Sequence, residues 1–253
     1  MRLSYLTLVF SIAVCIALYG VFVDSVWVTA WTANIGAGLL TSLVVVVLID
    51  RVLERQRERE LQRVRSVAMT QMRAPLMRHL SILCDWYKGA ALVPRSTPPK
   101  TIDDFFGDVY FEEVCHFDFL APAPVLPKND WFGRSGDQFE EFKQDLEKLV
   151  DRYGSFLGAE LIERVQEAAA SSFVQMLITI SRPHVRQLSQ SLNPDARFVL
   201  FQNESVVDLL RDHVSSFLLL LASFNGYAAA PIRAEHLDLR ENVQPKYGSA
   251  RLS

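Results

Sequence analysis

Two clusters of carboxylate and histidine side chains have a spacing that could support chemistry. Glu112 and His116 are four residues apart, which places them on one face of a helix, and Asp212 directly precedes His213. Such groups can bind a metal, or a carboxylate can orient an imidazole that acts as a base. Each cluster has only one histidine, and no second set of ligands and no paired nucleophile accompanies it. We therefore predict no metal and no cofactor, and keep both clusters as candidate catalytic residues.

The sequence lacks the motifs that usually identify an enzyme or a nucleic-acid-binding protein. It contains no G-x-S-x-G elbow, no Walker loop and no dinucleotide fingerprint. His79 with Cys84 and Asp85 lacks the setting of a thiol nucleophile. The net charge is -3 and most of the arginine excess follows an apolar run, so we predict no nucleic-acid partner. Three cysteines are a poor disulfide framework and fit a reducing compartment.

Hydrophobic residues are concentrated in the first fifty positions. Residues 3–23 carry no charge and are long enough for a helix that crosses a bilayer, and a second uncharged run follows at residues 31–49. The short link between the runs predicts a two-helix transmembrane hairpin at residues 1–50. A cleaved signal peptide is the alternative for the first run, but no small-x-small cleavage site follows it.

The distribution of arginine predicts the orientation of this hairpin. The link has no Lys or Arg, whereas Arg51 and Arg55 begin a run of arginines after the second span. The positive-inside rule then places both termini in the cytoplasm and Trp27 and Trp31 at the outer interface. We expect a multi-pass protein of the cell inner membrane in which Arg51 and Arg55 contact anionic headgroups. A solvated connector of mixed charge is the alternative for the arginine run.

Small residues mark part of the second predicted span. Gly36, Gly38 and Ser42 would let another helix backbone approach closely. Packing against the first helix of the same hairpin is the interpretation that we favour, and self-association into a homo-oligomer is the alternative. Neither predicted span contains an ionisable side chain, which argues against a proton-coupled transporter.

The remaining sequence predicts an all-α cytoplasmic domain. Residues 51–74 predict a charged juxtamembrane helix without a sustained heptad pattern, residues 75–230 a helical domain, and residues 231–253 a polar tail that frays. Pro75 is suited to a first helical turn. Apolar periodicity predicts the helices at residues 75–89, 137–153, 160–181 and 205–224, an irregular segment at residues 121–136, and a short strand as one reading of residues 197–202. The apolar runs 172–180 and 214–224 are too short to span a membrane and predict core helices.

One segment resembles a known group of proteins. The sequence contains Asn34-Ile35-Gly36 and then Leu48-Ile49-Asp50-Arg51-Val52-Leu53-Glu54-Arg55. It resembles a segment of uncharacterised bacterial two-pass inner-membrane proteins, over about residues 1–65. The resemblance implies a bacterial inner-membrane protein with a cytoplasmic C-terminal domain, and it implies no activity.

These observations favour a membrane-anchored, non-enzymatic interaction or regulatory protein that holds a cytoplasmic protein partner at the bilayer. A membrane-bound enzyme of unrecognised type is the first alternative, and it requires that the candidate catalytic residues converge in a cleft. An oligomeric pore-forming or membrane-disrupting effector, built from the small residues of the second span, is the other.

Overall fold

The computed structural model describes residues 10–12, 14–16, 18–19, 22, 26–91, 97–123, 130–182, 198–237 and 239. Every named element within these ranges is a helix, which confirms the all-α prediction. The chain divides into two units, residues 1–63 and residues 64–253, and each is treated by itself below.

The longest element is helix α1, Val26–Ala90, in which the second predicted span and the charged segment follow each other without a break. The helix start predicted at Pro75 is not observed, because Pro75 lies inside this helix. Proline cannot donate a backbone hydrogen bond and usually breaks or bends a helix. Here the neighbouring Met72 and Leu76 are fully buried, so apolar packing on both sides of Pro75 stabilises the helix through that position.

In the first unit, the described residues include an apolar helical segment with little protein around it. Helix α1 has an 18-residue window within Ala30–Ala90 whose mean hydropathy is 2.1 and of which 6% is buried. One helix of the described chain is thus long and apolar enough to cross a membrane. Of the first predicted span, residues 10–12, 14–16, 18–19 and 22 are helical, and its other residues lie outside the described ranges.

The second unit contains the core. Its further helices are α2 (Ile102–Phe105), α3 (Asp108–Val114), α4 (Trp131–Tyr153), α5 (Ala159–Ala169), α6 (Ser172–Ile180) and α7 (Glu204–Tyr227), with 3-10 turns at Gly154–Phe156, Leu200–Gln202 and Ala234–His236. Helices α4 and α7 each pack on both α5 and α6. The buried positions of α6 and α7 include Phe173, Leu177, Phe217 and Leu221, which confirms that both apolar runs are core helices.

Side-chain caps fix where several of these helices begin. The Thr101 hydroxyl accepts from the Asp104 backbone N–H, and the Asp104 carboxylate accepts from the Thr101 N–H. The carboxylate of Asp130 accepts from the Gly133 N–H at 2.8 Å, at the start of α4. Each cap satisfies an N–H that has no partner in the first turn of a helix.

Helix α4 begins at Trp131, six residues before the predicted start, and residues 131–136 of the segment predicted to be irregular are helical. The error arose from Gly133 and Gly136, which resemble loop residues. In the structure, a Cβ at Gly136 would lie 2.3 Å from the Cβ of Ser181. Gly136 therefore serves close packing between the start of α4 and the end of α6.

Two further predictions are wrong. The helix predicted at residues 160–181 is interrupted, because α5 ends at Ala169 and Ser171 caps a new helix, α6. The short strand that was one reading of residues 197–202 is not formed in the described part, residues 198–202, since residues 200–202 make a 3-10 turn. In the same segment, the backbone carbonyl of Phe198 accepts a hydrogen bond from the Phe119 N–H at 3.0 Å.

The start of the predicted tail is ordered by specific contacts rather than frayed. The side-chain amide of Asn225 donates to the Ile232 carbonyl at 2.8 Å and accepts from the Ile232 N–H at 2.7 Å. Ile232 and Leu237 are buried. Residue 238 and residues 240–253 lie outside the described ranges.

The close packing at Gly136 yields a stability prediction. We expect Gly136→Ala to lower the free energy of unfolding by about 2–3 kcal/mol, because the added methyl overpacks the contact with Ser181. The double variant Gly136→Ala/Ser181→Gly should recover part of this loss, since the Ser181 side-chain atoms that clash are removed. Denaturant unfolding of the detergent-solubilised chain measures both values.

Gly226→Ala is the matched control, because nothing lies within 4 Å of a Cβ at that helical position. It should be neutral or stabilise by up to about 1 kcal/mol. Equal effects of Gly136→Ala and Gly226→Ala would contradict the close packing of α4 on α6.

Candidate functional site

The structure separates the members of the first candidate cluster. Glu112 is exposed on α3, whereas His116 is half-buried in the turn that follows the end of this helix at Val114. The two residues are therefore not on one continuous helix face as the spacing of four predicted. Burial raises the pKa of the neighbouring Cys115 thiol, more than the Arg211 charge lowers it, so this thiol is not activated as a nucleophile.

The second cluster is divided between solvent and core. Asp212 is exposed on α7, while His213 is completely buried. Both ring nitrogens of His213 contact other side chains: Nε2 lies 2.8 Å from His79 Nε2, and Nδ1 lies 2.8 Å from Ser171 Oγ. Asp212 therefore does not orient this imidazole.

The residues that do meet His213 form a chain of polar side chains, His79–His213–Ser171, in which both histidines are buried and Ser171 is half-buried. His79 projects from α1, His213 from α7, and Ser171 caps α6, where its Oγ also accepts from the Val174 N–H at 3.3 Å. His79 is 1% exposed and its Nδ1 has no hydrogen-bond partner in the described structure. The chain thus connects three helices through the interior of the second unit.

Phenylalanine rings enclose this polar chain. Phe142 stacks on the His79 ring at a centroid distance of 3.8 Å, and Phe139 and Phe217 contact the same ring edge-on at 4.7 and 4.8 Å. Phe173 stacks on the His213 ring at 5.6 Å. The imidazoles are therefore held in an apolar environment that is closed to solvent.

This environment keeps both imidazoles neutral. Burial lowers the pKa of His213 to about 3. Burial, and in addition the charge of His213, lowers the pKa of His79 well below its usual value. Neutral imidazoles that solvent and substrate cannot reach are unsuited to act as a general base, so the chain is a structural feature of the core.

Sequence reasoning considered His79 only as a partner of Cys84 and Asp85. In the structure Cys84 is buried and Asp85 instead pairs with Arg134 at 2.7 Å and with Lys88 at 3.5 Å. The one signal for the observed chain was the position of each histidine on an apolar helix face. Contact between His79 and His213, 134 residues apart, requires the tertiary structure.

A second polar contact in the core supports the same packing. The indole Nε1–H of Trp86 donates to Ser135 Oγ at 2.9 Å, and the Trp86 ring stacks on Phe139 at 5.4 Å. Both Trp86 and Ser135 are fully buried. The segment of α1 from residue 64 to residue 90 therefore carries its own hydrogen-bonding residues into the centre of the domain.

Two surface clefts among the described residues are lined by residues other than the four candidate catalytic residues. A cleft of about 330 Å³ is lined by Ile102, Leu221, Ile232 and neighbouring side chains, and another of about 240 Å³ by Pro75, Arg78, Asp145 and their neighbours. Neither is lined by Glu112, His116, Asp212 or His213. Within the described ranges, no three His, Cys, Asp or Glu side chains are close enough to hold a metal ion.

The predicted headgroup contacts lie in the first unit. Arg51 and Arg55 are exposed and have no ion-pair partner among the described residues. Trp27 and Trp31 are 75% and 60% exposed, and their rings stack with a centroid distance of 6.3 Å. These four side chains are free to contact a surrounding medium.

The small residues of the second predicted span do not share one environment. Gly36 is buried, whereas Gly38 and Ser42 are exposed, and nothing lies within 4 Å of a Cβ at Gly38. Positions 36 and 38 point in opposite directions on a helix, since successive residues are about 100° apart. The three residues therefore do not form one packing face.

No family model, no curated protein and no solved structure matches this chain.

The buried chain generates a stability prediction. Ser171→Ala removes the cap of α6 and the partner of His213 Nδ1, so we expect the free energy of unfolding to fall by about 1–3 kcal/mol. Ser172→Ala is the control, because this exposed neighbour makes no such bond. Thermal unfolding of both variants at neutral pH measures the difference, and equal melting temperatures would contradict the role assigned to Ser171.

Proposed function

We propose that this protein is anchored in the bacterial inner membrane by a two-helix hairpin and is a non-enzymatic interaction or regulatory module with its helical domain in the cytoplasm. The observation that carries the proposal is the apolar window of α1, which is 6% buried and has a mean hydropathy of 2.1. Water is a poor solvent for such a surface, and hydrocarbon is a good one.

Exposed side chains along this window support the membrane environment. Val44, Val46, Leu48 and Ile49 are 54–56% exposed. Each such residue favours insertion by about 0.3–0.6 kcal/mol on scales for a helix in the bilayer centre. No charged residue interrupts residues 31–49. The window therefore has the composition and the exposure of a lipid-facing helix.

The arginines that follow support the orientation. Helical rise places Arg51 and Arg55 about 3 and 9 Å beyond Ile49, and Arg63 about 21 Å beyond it. The headgroup region is about 5–8 Å thick on each side of the hydrocarbon. The guanidinium groups of Arg51 and Arg55 are thus within reach of anionic headgroups, whereas Arg63 is not. Trp27 and Trp31, at the other end of the window, suit the opposite interface.

The arrangement of polar residues in the second unit supports the interaction role. The two buried histidines of this unit bond to each other and to the half-buried Ser171, and the two clefts described above are lined by residues other than the candidate catalytic groups. A packed helical domain held at a membrane is suited to recruit a protein partner to that surface. The membrane-bound enzyme and the pore-forming effector have no specific contact in the described residues that favours them.

The orientation is tested with reporters fused to the full chain. Green fluorescent protein fused after Ser253 should fluoresce, because both termini are cytoplasmic in this proposal. Alkaline phosphatase inserted between Asp24 and Ser25, ahead of the start of α1 at Val26, should be active, since this position lies outside in the proposal. An active phosphatase at Ser253 would contradict the proposed topology.

A charge exchange tests whether the arginines set this orientation. Arg51, Arg55, Arg57 and Arg59 are replaced by Ala while two lysines are inserted in the link, and we expect a fraction of the chains to invert. The same two reporters measure that fraction. The expectation rests on the positive-inside rule, which acts within about 15–20 residues of a span.

The matched control removes four cations that are far from the span in sequence, Lys143, Lys148, Arg152 and Arg164, and adds the same two lysines. It should leave more chains in the original orientation than the juxtamembrane variant does. Equal inversion in the two variants would contradict the assignment of orientation to the juxtamembrane arginines.

The interaction role has its own test. Cross-linking of the full chain in cells, followed by purification in detergent, identifies a candidate cytoplasmic partner. Deletion of this chain should then move that partner from the membrane fraction to the soluble fraction, and re-expression should return it. A candidate that stays at the membrane after the deletion would contradict the recruiting role.

A further inference from the structure

The contact between His79 and His213 has a property that an ordinary apolar contact lacks, because it depends on the number of protons in it. The two Nε2 atoms are 2.8 Å apart, so one proton must lie between them to make a hydrogen bond. We propose that this contact is an acid-sensitive lock, which holds α1 to α7 at neutral pH and releases the two helices when the histidines are protonated.

The number of protons in the histidine pair explains why acid breaks the contact. In the neutral pair, one Nε2–H donates to the other Nε2, and Ser171 Oγ occupies the remaining nitrogen of His213. A first added proton creates an imidazolium ion among phenylalanine rings. A second proton places N–H against N–H at 2.8 Å, which removes the hydrogen bond and adds the repulsion of two like charges.

Among the described residues, no opposite charge compensates these protons. Helix α4 presents Phe139 and Phe142 to His79, α7 presents Phe217, and α6 presents Phe173 to His213. Among the described residues, burial and the charge of His213 lower the pKa of His79, and burial alone lowers the pKa of His213.

The charged groups on the helices around the pair lie elsewhere. Arg78 of α1 pairs with Asp145 of α4 on the surface, and Asp212 of α7 is exposed. The N-terminal cap of α6 is the neutral Ser171. An imidazolium ion at this place is therefore closed off from bulk solvent and has no described carboxylate to stabilise it.

The direction of the pH effect follows from the same geometry. The pKa of both histidines is lowered in the closed domain, to about 3 for His213, whereas the open or unfolded chain takes up protons near pH 6.5. The closed form is thus favoured fully above about pH 6.5 and is progressively lost as the pH falls toward 3. Each histidine raises the open-to-closed ratio by up to about tenfold per pH unit below 6.5.

The test uses the full chain in detergent micelles or nanodiscs between pH 7.5 and pH 5. Wild-type protein should lose melting temperature as the pH falls, and amide hydrogen exchange should accelerate first in α1 and α7 around residues 76–83 and 210–217. The double variant His79→Leu/His213→Leu should lose most of this pH dependence. An unchanged pH dependence in the double variant would overturn the proposal.

The matched control keeps the lock and removes the other three histidines, through His116→Gln, His184→Gln and His236→Gln. It should retain the pH dependence of the wild type. A control that loses this dependence would show that acid acts at the other histidines, and it would overturn the proposal.

If the double variant does not fold, a measurement on the wild-type chain still tests the proposal. Imidazole ¹⁵N NMR at pH 5.5 should show both buried histidines neutral in the closed form, with one proton shared between the two Nε2 atoms. A charged His79 or His213 in a closed domain would refute the lock. Because both histidines lie in the second unit, these results do not depend on the proposed membrane orientation.

Discussion

An apolar helical segment that is almost wholly exposed in the described structure determines which environment suits this molecule. The window in α1 has only 6% of its residues buried, although its mean hydropathy is 2.1. A soluble protein rarely exposes a contiguous apolar surface of this kind. The protein satisfies the constraint if hydrocarbon covers the window, and the exposed arginines and tryptophans at its two ends then contact the two interfaces of the bilayer.

The part of α1 that belongs to the second unit is packed in protein instead. Met72, Leu76, Leu80 and Trp86 are almost fully buried in the second unit, and His79 connects this part of the helix to α7. Apolar burial supplies most of the driving force for such packing, and the buried polar chain restricts which helices can meet, because an unpaired imidazole or indole N–H would be costly there. The same chain makes the packing of this domain dependent on proton concentration.

The sequence predicted those features that depend on local periodicity. The apolar stripe Phe139, Phe142, Leu146 and Leu149 identified most of α4, and the apolar run from Val214 to Phe224 identified α7. Features that depend on contacts distant in sequence were missed. Gly133 and Gly136 resembled a loop because the approach of Ser181 is invisible in the sequence, and the run of alanines and serines at residues 168–172 gave no sign of the break between α5 and α6. The histidine pair was missed for the same reason, since its members lie on separate helices.

Extraction from isolated membranes tests the central claim most directly. Membranes that contain the full chain are washed with alkaline carbonate, which removes peripheral proteins, and are then treated with a mild detergent. Our account predicts that the chain stays in the carbonate pellet and is released only by the detergent. Recovery of the chain as a soluble monomer without detergent would contradict it.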